Sequence, residues 1–417
     1  MDDVKAQVHT MTVAARSALP ALAMAGSARR AAALRAAGEA IRVNSAEICA
    51  ANARDVTRAS DNGVSAAYID RLMLDEDRVT AIAAALETVA ALPDPVGQII
   101  DSNERPNGLR LERVRVPLGV VGMIYESRPN VTADAAALCL RVGNAVILRG
   151  GSEAIESNRA LHRCMVTGLA SANLPEAAVQ LVDTTDRAAV GAMLGAAGLI
   201  DVIIPRGGKS LVARVQAEAR VPVLAHLDGI CHVYVHQAAD AAKARAIVLD
   251  AKLRRTSVCG SMETLLIDRN FPDVAGLIAA LITAGCEVRG DAASVALDAR
   301  VIPASAADWE TEYLDAIASV AIVDDADAAI AHINQHGSHH TDAIVTEDSI
   351  VAEDFLARVD SAIVMANAST QFADGGEFGL GAEIGIATGR LHARGPLALE
   401  GLTTYKWLVR GDGQVRA

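Results

Sequence analysis

One cysteine stands out because of its charged neighbours. In RRTSVCGSMETLLI, Cys259 follows a basic run and precedes an apolar run, and Lys252, Arg254 and Arg255 lie within the seven residues before it. Nearby positive charge stabilises a thiolate, the form of cysteine that attacks carbonyl carbon. A free cysteine is more often a small buried apolar residue, so both interpretations stay open on these residues alone. The other cysteines lie in contexts that predict a structural role: Cys49, Cys139, Cys164, Cys231 and Cys286.

An asparagine lies where a predicted strand passes into a predicted helix. Asn130, in YESRPNVTADAAAL, follows Pro129 close to the expected helix start. Its side chain there either caps the helix or donates a hydrogen bond to an oxyanion, because a tetrahedral intermediate needs fixed donors aimed at its developing charge.

Two glycine loops follow predicted strands and precede predicted helices. LRGGSEA contains Arg149, and PRGGKS contains Arg206 and Lys209. Exposed backbone N–H groups at such places bind phosphate, and the basic side chains add charge. Neither loop is a G-x-G-x-x-G or Walker A motif, so solvated loop ends explain them equally well.

The histidines of NQHGSHHTD suggest a metal site at first sight. His336, His339 and His340 have no Glu-x-x-His or comparable second ligand set nearby, and no cysteines occur as a C-x-x-C pair. We therefore expect no metal.

Composition favours a globular α/β protein. The chain has 417 residues, of which 52% are hydrophobic and only 3% aromatic, which suits alanine-rich helices packed on a sheet. A net charge of −13 argues against a nucleic-acid or anionic membrane partner and favours a small-molecule substrate. The acidic start and the lack of a long apolar run predict a cytoplasmic location.

The pattern along the chain predicts three kinds of segment. Residues 1–91 are helical in pattern, strand and helix patterns alternate from residue 117, and a second such stretch covers 240–360. Two isolated segments, at 109–116 and 403–410, alternate apolar and polar residues like half-exposed strands. They would pair with each other or with a partner chain, and we predict from them a flap for oligomerisation.

Taken in order, the segments resemble one family. They include RVPLGVVGMIYESRPNVTADAAALCLRVGNAVILRGGSEA, DVIIPRGGKSL, SVCGSMETLLI, HINQHGSHHTDAIVT and GGEFGLGAEIGIATGRLHARGPLALEGLTTYKWLVRGDGQVR. The family is the glutamate-5-semialdehyde dehydrogenases, or gamma-glutamyl phosphate reductases, of the aldehyde dehydrogenase superfamily. The resemblance implies an aldehyde dehydrogenase-like α/β fold of two doubly wound αβα domains and a small β-flap. The implied ranges are 1–104, 128–233 and 362–394 for NADP binding, 234–361 for catalysis, and 105–127 and 395–417 for the flap.

The resemblance also implies a reaction and roles for residues. NADPH would reduce L-glutamyl 5-phosphate to L-glutamate 5-semialdehyde and phosphate in proline biosynthesis, with Cys259 as nucleophile and Asn130 as oxyanion donor. The chain would form a dimer or tetramer and be functionally coupled to a glutamate 5-kinase. The implied cofactor residues are Arg149, Gly150, Gly151, Ser152, Arg206, Gly207, Gly208, Ser210 and Glu312. The residues expected to hold substrate are Arg128, Arg255, Ser338 and His339.

Three departures from the superfamily are informative. Hydrolytic members carry E-L-G-G before the cysteine, whereas this chain has AHLDGICHV, and an enzyme exchanging its acyl group with phosphate needs no water-activating carboxylate. The usual K-P-x-E is replaced by the residues Arg149 to Ser152, which favours NADP over NAD. The common Q-R-P-x-x-C-N is replaced by RRTSVCG. A coenzyme A-acylating dehydrogenase and a catalytically silent nucleotide-binding relative are the rival interpretations.

Overall fold

The structure is a computed structural model, and it describes residues 2–416 of the chain. Two compact units divide the chain, and each is made of more than one chain segment. The first unit comprises Met1–Ala225, Gly379–Gly385 and Leu397–Ala417, and the second comprises His226–Phe378 and Ile386–Pro396.

Helices and strands alternate over most of the chain, and the predicted α/β class is confirmed. The helices are α1 (Asp2–Met24), α2 (Gly26–Val43), α3 (Ser45–Asp61), α4 (Ala66–Leu72), α5 (Glu76–Ala91), α6 (Val131–Arg141), α7 (Ile155–Ser171), α8 (Ala188–Leu194), α9 (Lys209–Glu218), α10 (Ala241–Leu253), α11 (Val274–Thr283), α12 (Ala292–Leu297), α13 (Ala326–His336) and α14 (Ser349–Arg358). The strands are β1 (Ile99–Glu104), β2 (Arg110–Pro117), β3 (Val120–Tyr125), β4 (Ala145–Gly150), β5 (Val179–Leu181), β6 (Val202–Arg206), β7 (Cys231–Val235), β8 (Met262–Asp268), β9 (Glu287–Gly290), β10 (Ile302–Pro303), β11 (Ile317–Val323), β12 (Thr341–Val345), β13 (Ile363–Ala366), β14 (Ile386–Ala387), β15 (Gly395–Pro396) and β16 (Thr403–Arg410). Within residues 2–416, no helix combines the length and the hydrophobicity needed to cross a membrane.

The first unit is built on a parallel sheet of order β5-β4-β3-β6. Every residue of β3 and β4 is buried, as expected for strands covered on both faces. Around the sheet, α2 packs against α5 and α7. Gly168 of α7 permits this close crossing, since a Cβ atom there would lie 2.6 Å from the Cβ atom of Ala37.

A small antiparallel sheet of order β1-β2-β16 also belongs to the first unit. The two alternating strands of the sequence pair here, with Thr403 opposite Pro117 and Arg410 opposite Arg110. Their pairing, one of two predicted alternatives, is confirmed. Tyr405 and Trp407 are about half exposed on the outer strand. Assembly of copies through this sheet stays a prediction.

The unit boundaries differ in places from the predicted ranges. Val120–Tyr125 was expected in the flap, but the segment forms β3 of the parallel sheet. Residues 226–233 and 362–378 were expected in the cofactor domain, and they fold with the second unit. The assignment of NADP binding and catalysis to particular units stays a prediction.

The second unit is built on a parallel sheet of order β10-β9-β11-β8-β7-β12-β13. Alternate residues of a strand face opposite sides, so Val233 joins one apolar cluster and Tyr234 joins the other. At the centre, β8 is buried along its whole length. The chain segments leading into β8, β7 and β12 therefore meet at one edge, because these neighbouring strands are parallel.

Candidate active site

Three segments of the second unit meet at the edge where β7, β8 and β12 begin. Cys259 lies three residues before β8, His226 lies five residues before β7, and His340 directly precedes β12. The Cys259 Sγ atom and a ring nitrogen from each histidine all lie within 4.8 Å of one another. Three residues spread between positions 226 and 340 thus form one cluster, which we call the Cys–His–His cluster.

The loop that carries Cys259 is fixed by backbone contacts from two directions. Gly229 lies against it so closely that a Cβ atom at position 229 would lie 2.7 Å from the Cys259 Cα atom. From another segment, the buried Gln371 donates through Nε2 to the carbonyl oxygens of Ala251, at 2.9 Å, and Arg255, at 3.3 Å. The loop is therefore held both ahead of Cys259 and at Cys259 itself.

The two imidazoles set the electrostatics of the thiol. Burial opposes ionisation of Cys259, but the adjacent His340 and His226 outweigh it and hold the pKa of this thiol well below its usual range. Burial raises the pKa of Cys139 and Cys164 instead. Cys259 is therefore distinguished from these cysteines by thiolate character.

The basic residues that precede Cys259 in the sequence do not cause the lowered pKa of its thiol. Arg254 and Arg255 are exposed to solvent. Lys252 is fully buried, and its Nζ atom donates to the Glu263 carboxylate at 2.6 Å. Cys259 was predicted as nucleophile because of basic neighbours, but in the structure the two histidines, and not those neighbours, favour its thiolate.

Two side chains position the segment that precedes β7. A Glu312 carboxylate oxygen accepts a hydrogen bond from the Gly229 N–H at 3.0 Å, and the Ser338 hydroxyl accepts one from the Ile230 N–H at 2.9 Å. Burial raises the pKa of Glu312, and the nearby Cys259 thiolate acts in the same direction. Glu312 and Ser338, predicted for cofactor and substrate respectively, both lie beside the cysteine loop.

The remaining histidines of NQHGSHHTD do not join the Cys–His–His cluster. His336 lies 3.5 Å from the Glu310 carboxylate. His339 adopts a left-handed backbone conformation with φ of 59°, and its Nδ1 atom contacts the Asp360 carbonyl oxygen at 2.5 Å. Of the three histidines considered from the sequence as metal ligands, only His340 reaches the cysteine.

In the first unit, the two glycine loops lie on either side of β3. Tyr125 is paired with Gly150 on one neighbouring strand and with Arg206 on the other. Both loops therefore leave the same carboxyl edge of the sheet, the place where open α/β sheets bind ligands. The Gly207–Gly208 pair leads into α9, and the exposed Ser210 lies in its first turn.

The Arg149 loop has features that fit a phosphate-bearing cofactor. Arg149 is 8% exposed, and among the described residues its Nε atom has no hydrogen-bond partner. Burial lowers the pKa of Arg149, although a guanidinium keeps its charge in proteins. Gly150 and Gly151 have no space for a Cβ atom beside Asn158 and Glu153, and Ser152 is exposed. An unpaired buried donor next to a narrow glycine cradle fits an anionic ligand.

Asn130 does not cap α6 with its side chain. Its Nδ2 atom donates to the Asp134 carboxylate at 2.8 Å, one turn along the helix. Burial raises the pKa of Asp134 to about 6, although Asn130 and Arg206 both oppose this shift. An amide nitrogen carries two N–H groups, so the contact orients Asn130 and leaves its second N–H for another acceptor. Arg128 lies half-buried two residues before Asn130.

His226 was not predicted from the sequence, although a signal was present. The segment AHLDGICHV was noted for lacking the superfamily's E-L-G-G glutamate. Aligning H-L-D-G with that motif puts His226 at the glutamate position. The structure brings the His226 imidazole to the cysteine from this segment. A missing carboxylate therefore marked the position of a different functional side chain.

Comparisons with known proteins show the family to which the chain belongs. Residues 2–287 match the model of the aldehyde dehydrogenase family. The gamma-glutamyl phosphate reductase of Rhizorhabdus wittichii is 68% identical over 414 residues, covering 99% of this chain and 96% of that protein. The corresponding protein of Novosphingobium aromaticivorans is 65% identical over 409 residues, covering 98% of this chain and 96% of that protein.

Solved structures give the same result at the level of the fold. The crystal structure of the Thermotoga maritima gamma-glutamyl phosphate reductase is 40% identical, with a TM-score of 0.96, and the match covers 98% of this chain and all of that one. An acetylating aldehyde dehydrogenase from Geobacillus thermoglucosidasius shares the fold at 16% identity, with a TM-score of 0.70 and coverage of 100% of this chain and 98% of that one. The chain therefore belongs to the aldehyde dehydrogenase family of enzymes and, within it, to the gamma-glutamyl phosphate reductases.

Proposed function

We propose that this enzyme reduces L-glutamyl 5-phosphate to L-glutamate 5-semialdehyde and phosphate, with NADPH as reductant, in proline biosynthesis. One observation carries the proposal: Cys259 meets two imidazoles in a chain that is 68% identical to a gamma-glutamyl phosphate reductase over almost its full length. Acyl transfer through a thioester needs such a thiolate, because the thiol itself is a poor nucleophile.

The first step is attack of the Cys259 thiolate on the acyl carbon of the substrate. A new S–C bond forms, and the C–O bond to the phosphate breaks, so that phosphate leaves with the bonding electrons. His340 accepts the thiol proton before attack and holds it beside the sulfur, an assignment supported by its buried Nε2 atom, which has no hydrogen-bond partner among the described residues. The product of this step is a thioester on Cys259.

The developing oxyanion needs fixed donors. We assign the backbone N–H of Cys259 and, from the family resemblance, the second amide N–H of Asn130 to this role. The hydrogen bond from Asn130 to Asp134 supports the assignment, since it fixes the direction of the amide. Removal of one such donor typically raises the barrier by about 3 to 4 kcal/mol.

When bound, NADPH supplies the hydride that reduces the thioester carbon. The residues assigned to hold it are those of the Arg149 and Arg206 loops, with Glu312 for the nicotinamide ribose. Reduction leaves a thiohemiacetal on Cys259. Its C–S bond then breaks, the aldehyde forms, and the thiolate returns beside His340 and His226. The residues Arg149 to Ser152, which replace the superfamily's K-P-x-E, lack its glutamate. The loss of that carboxylate supports NADPH over NADH.

Further parts of the proposal rest on position and on the family. Arg128, Arg255, Ser338 and His339 are proposed to hold the charged groups of the glutamyl substrate. Copies of the chain are proposed to associate through the β1-β2-β16 sheet, whose outer strand exposes Tyr405 and Trp407. We also propose that the enzyme is cytoplasmic and that it is functionally coupled to a glutamate 5-kinase.

The reverse reaction tests the acyl acceptor directly. Oxidation of glutamate 5-semialdehyde with NADP⁺ is measured while phosphate or coenzyme A is varied. We expect the rate to depend on phosphate and not to respond to coenzyme A, and NAD⁺ to give the lower kcat/KM. A rate that requires coenzyme A would establish the acylating alternative instead, and no turnover with either acceptor would favour a silent relative.

A further inference from the structure

The donor atoms of the Cys–His–His cluster form a set that a metal ion can use. A thiolate sulfur and two imidazole nitrogens converge, with mutual distances within 4.8 Å. His340 is fully buried, and Cys259 and His226 are half-buried. Within residues 2–416 no other group of three His, Cys, Asp or Glu side chains converges in this way.

The two imidazoles are already oriented as metal ligands are. The His226 Nδ1 atom lies 2.8 Å from the Ile386 carbonyl oxygen, which can only accept, so Nδ1 carries a proton and Nε2 is the nitrogen that a metal ion would bind after losing any proton it carries. The His340 Nδ1 atom lies 2.9 Å from the Thr341 hydroxyl. Ligating histidines almost always bond their other ring nitrogen to a protein group, which fixes the ring.

One ring nitrogen of the cluster has no hydrogen-bond partner among residues 2–416. The His340 Nε2 atom is buried and makes no hydrogen bond within the described part of the chain. A buried polar atom without a partner costs free energy unless something binds to it. The two ring centroids are 5.1 Å apart at an interplanar angle of 80°, so the rings converge on the sulfur without stacking on each other.

The chemistry of the donors selects the ion. Thiolate and imidazole suit Zn²⁺, whereas Mg²⁺ and Ca²⁺ require oxygen ligands. Zinc binds sulfur at about 2.3 Å and nitrogen at about 2.0 Å, which puts tetrahedral donors about 3.3 to 3.5 Å apart, so donors within 4.8 Å of one another contract by about 1.5 Å at most on binding. Three protein ligands leave a fourth position open to water or a small anion.

We propose that Cys259, His226 and His340 bind one Zn²⁺ ion reversibly, and that the ion inhibits the enzyme by occupying the sulfur lone pair needed for attack. Any proton on the sulfur leaves to solvent when the Zn–S bond forms. The binding is independent of the proposed reaction, whereas the inhibition rests on the proposed function. Zinc and the acyl phosphate compete for the same sulfur atom.

Binding is tested with the metals alone, on metal-free full-length enzyme. Co²⁺, which reports thiolate ligation by an absorption band, and Zn²⁺, measured by competition with a chromophoric chelator, are titrated separately. The wild type is expected to bind one ion with the thiolate band, and Cys259→Ser to lose the band. His226→Gln and His340→Gln are each expected to weaken binding by about tenfold or more. His9→Gln, an exposed histidine of α1, is the matched control and should bind as the wild type does.

A second measurement needs no variant and so does not depend on how the variants fold. Wild-type enzyme is alkylated with iodoacetamide with and without equimolar Zn²⁺, and the modified cysteines are identified by mass spectrometry. We expect Zn²⁺ to slow alkylation of Cys259 at least tenfold and to leave Cys49 unchanged. Equal alkylation rates, or no one-to-one binding of either metal, would overturn the zinc site.

Activity separates the two proposals. Inhibition by Zn²⁺ that a chelator reverses, and that rising glutamyl phosphate relieves, is expected if both are correct. Metal binding to an enzyme that never reduces glutamyl phosphate would keep the site and refute the proposed function. Turnover that Zn²⁺ does not inhibit would keep the function and refute inhibition through Cys259.

Discussion

Gly229 and Cys259 lie so close together that no side chain fits at position 229. A Cβ atom there would lie 2.7 Å from the Cys259 Cα atom and 2.8 Å from its carbonyl carbon. The Gly229 N–H also donates to Glu312. The segment before β7, held through Gly229, therefore fixes the position of the cysteine loop; we call this its template role.

Gly229→Ala should move the cysteine loop. Because the new methyl group meets backbone and not a flexible side chain, we expect a loss of about 1 to 3 kcal/mol of unfolding free energy. A displacement near 1 Å at a reacting atom lowers the rate by about 100-fold, so kcat/KM should fall by that order. Urea unfolding measures the change in unfolding free energy, and steady-state kinetics measures the change in kcat/KM. Gly191→Ala is the control, since a Cβ atom there meets nothing within 4 Å, and wild-type kinetics in Gly229→Ala would contradict the template role.

Thiol reactivity should report the two imidazoles. The pKa of Cys259 is lowered, so its thiolate persists as the pH falls below the ordinary cysteine value of about 8.5. In the presence of a chelator, iodoacetamide should therefore label Cys259 at neutral pH faster than Cys49, whose pKa is raised by burial. His340→Gln removes one stabilising neighbour but leaves the burial, so the midpoint of the pH–rate curve should shift upward. An unshifted midpoint would exclude His340 as the source of thiolate character.

Asn130 should matter for rate more than for stability. Asn130→Ala removes the proposed oxyanion donor, and we expect kcat to fall by about 100- to 1,000-fold. The side chain is only half-buried and does not cap α6, so the fold loses only its hydrogen bond to Asp134 and the thermal midpoint should fall by a few degrees at most. Asn103→Ala, on the exposed strand β1, is the control. Similar kcat values in both variants would remove Asn130 from the mechanism.

His332 should make the second unit sensitive to acid. Burial, with His232 and His336 nearby, lowers the pKa of His332 to about 3, against 6.5 for an unperturbed histidine. Between these two pKa values, His332 therefore binds a proton in the unfolded chain but not in the folded chain. The stability linked to this group is complete above pH 6.5 and is lost as the pH falls toward 3, with a slope of up to about 1.4 kcal/mol per pH unit.

His332→Gln should flatten that dependence between pH 6.5 and 4. Trp309 packs edge-on against the His332 ring, with 5.4 Å between the ring centroids, so its fluorescence follows unfolding of this region. Denaturant titrations at several pH values give the slope. His9→Gln should keep the wild-type slope, and an unchanged slope in His332→Gln would show that another group carries the acid sensitivity.

Sequence pattern predicted much of the fold for a simple physical reason. A strand such as β3, buried on both faces, is a continuous apolar run, whereas β2 mixes apolar and charged residues and is mostly half-buried. The boundaries were less predictable. Val120–Tyr125 follows β2 directly, and only its distant pairing with β4 and β6 assigns it to the parallel sheet.

The sequence predicted those site residues that lie in one short segment or that resemble the segments of a known family. Cys259 was predicted from the sequence, but the side chains that favour its thiolate are His226 and His340, which reach it only because β7, β8 and β12 are adjacent and parallel. Lys252, which is close to Cys259 in the sequence, instead forms an ion pair with Glu263. Spacing along the chain cannot reveal a contact that sheet order creates.

The most direct test of the account is NADPH oxidation with glutamyl phosphate generated in place by a glutamate kinase. Wild type is compared with Cys259→Ala, and Cys49→Ala serves as the matched cysteine control. We predict that NADPH oxidation by wild type and Cys49→Ala depends on the kinase, and that Cys259→Ala has no turnover above the enzyme-free rate. Equal turnover in Cys259→Ala and wild type would contradict covalent catalysis by Cys259.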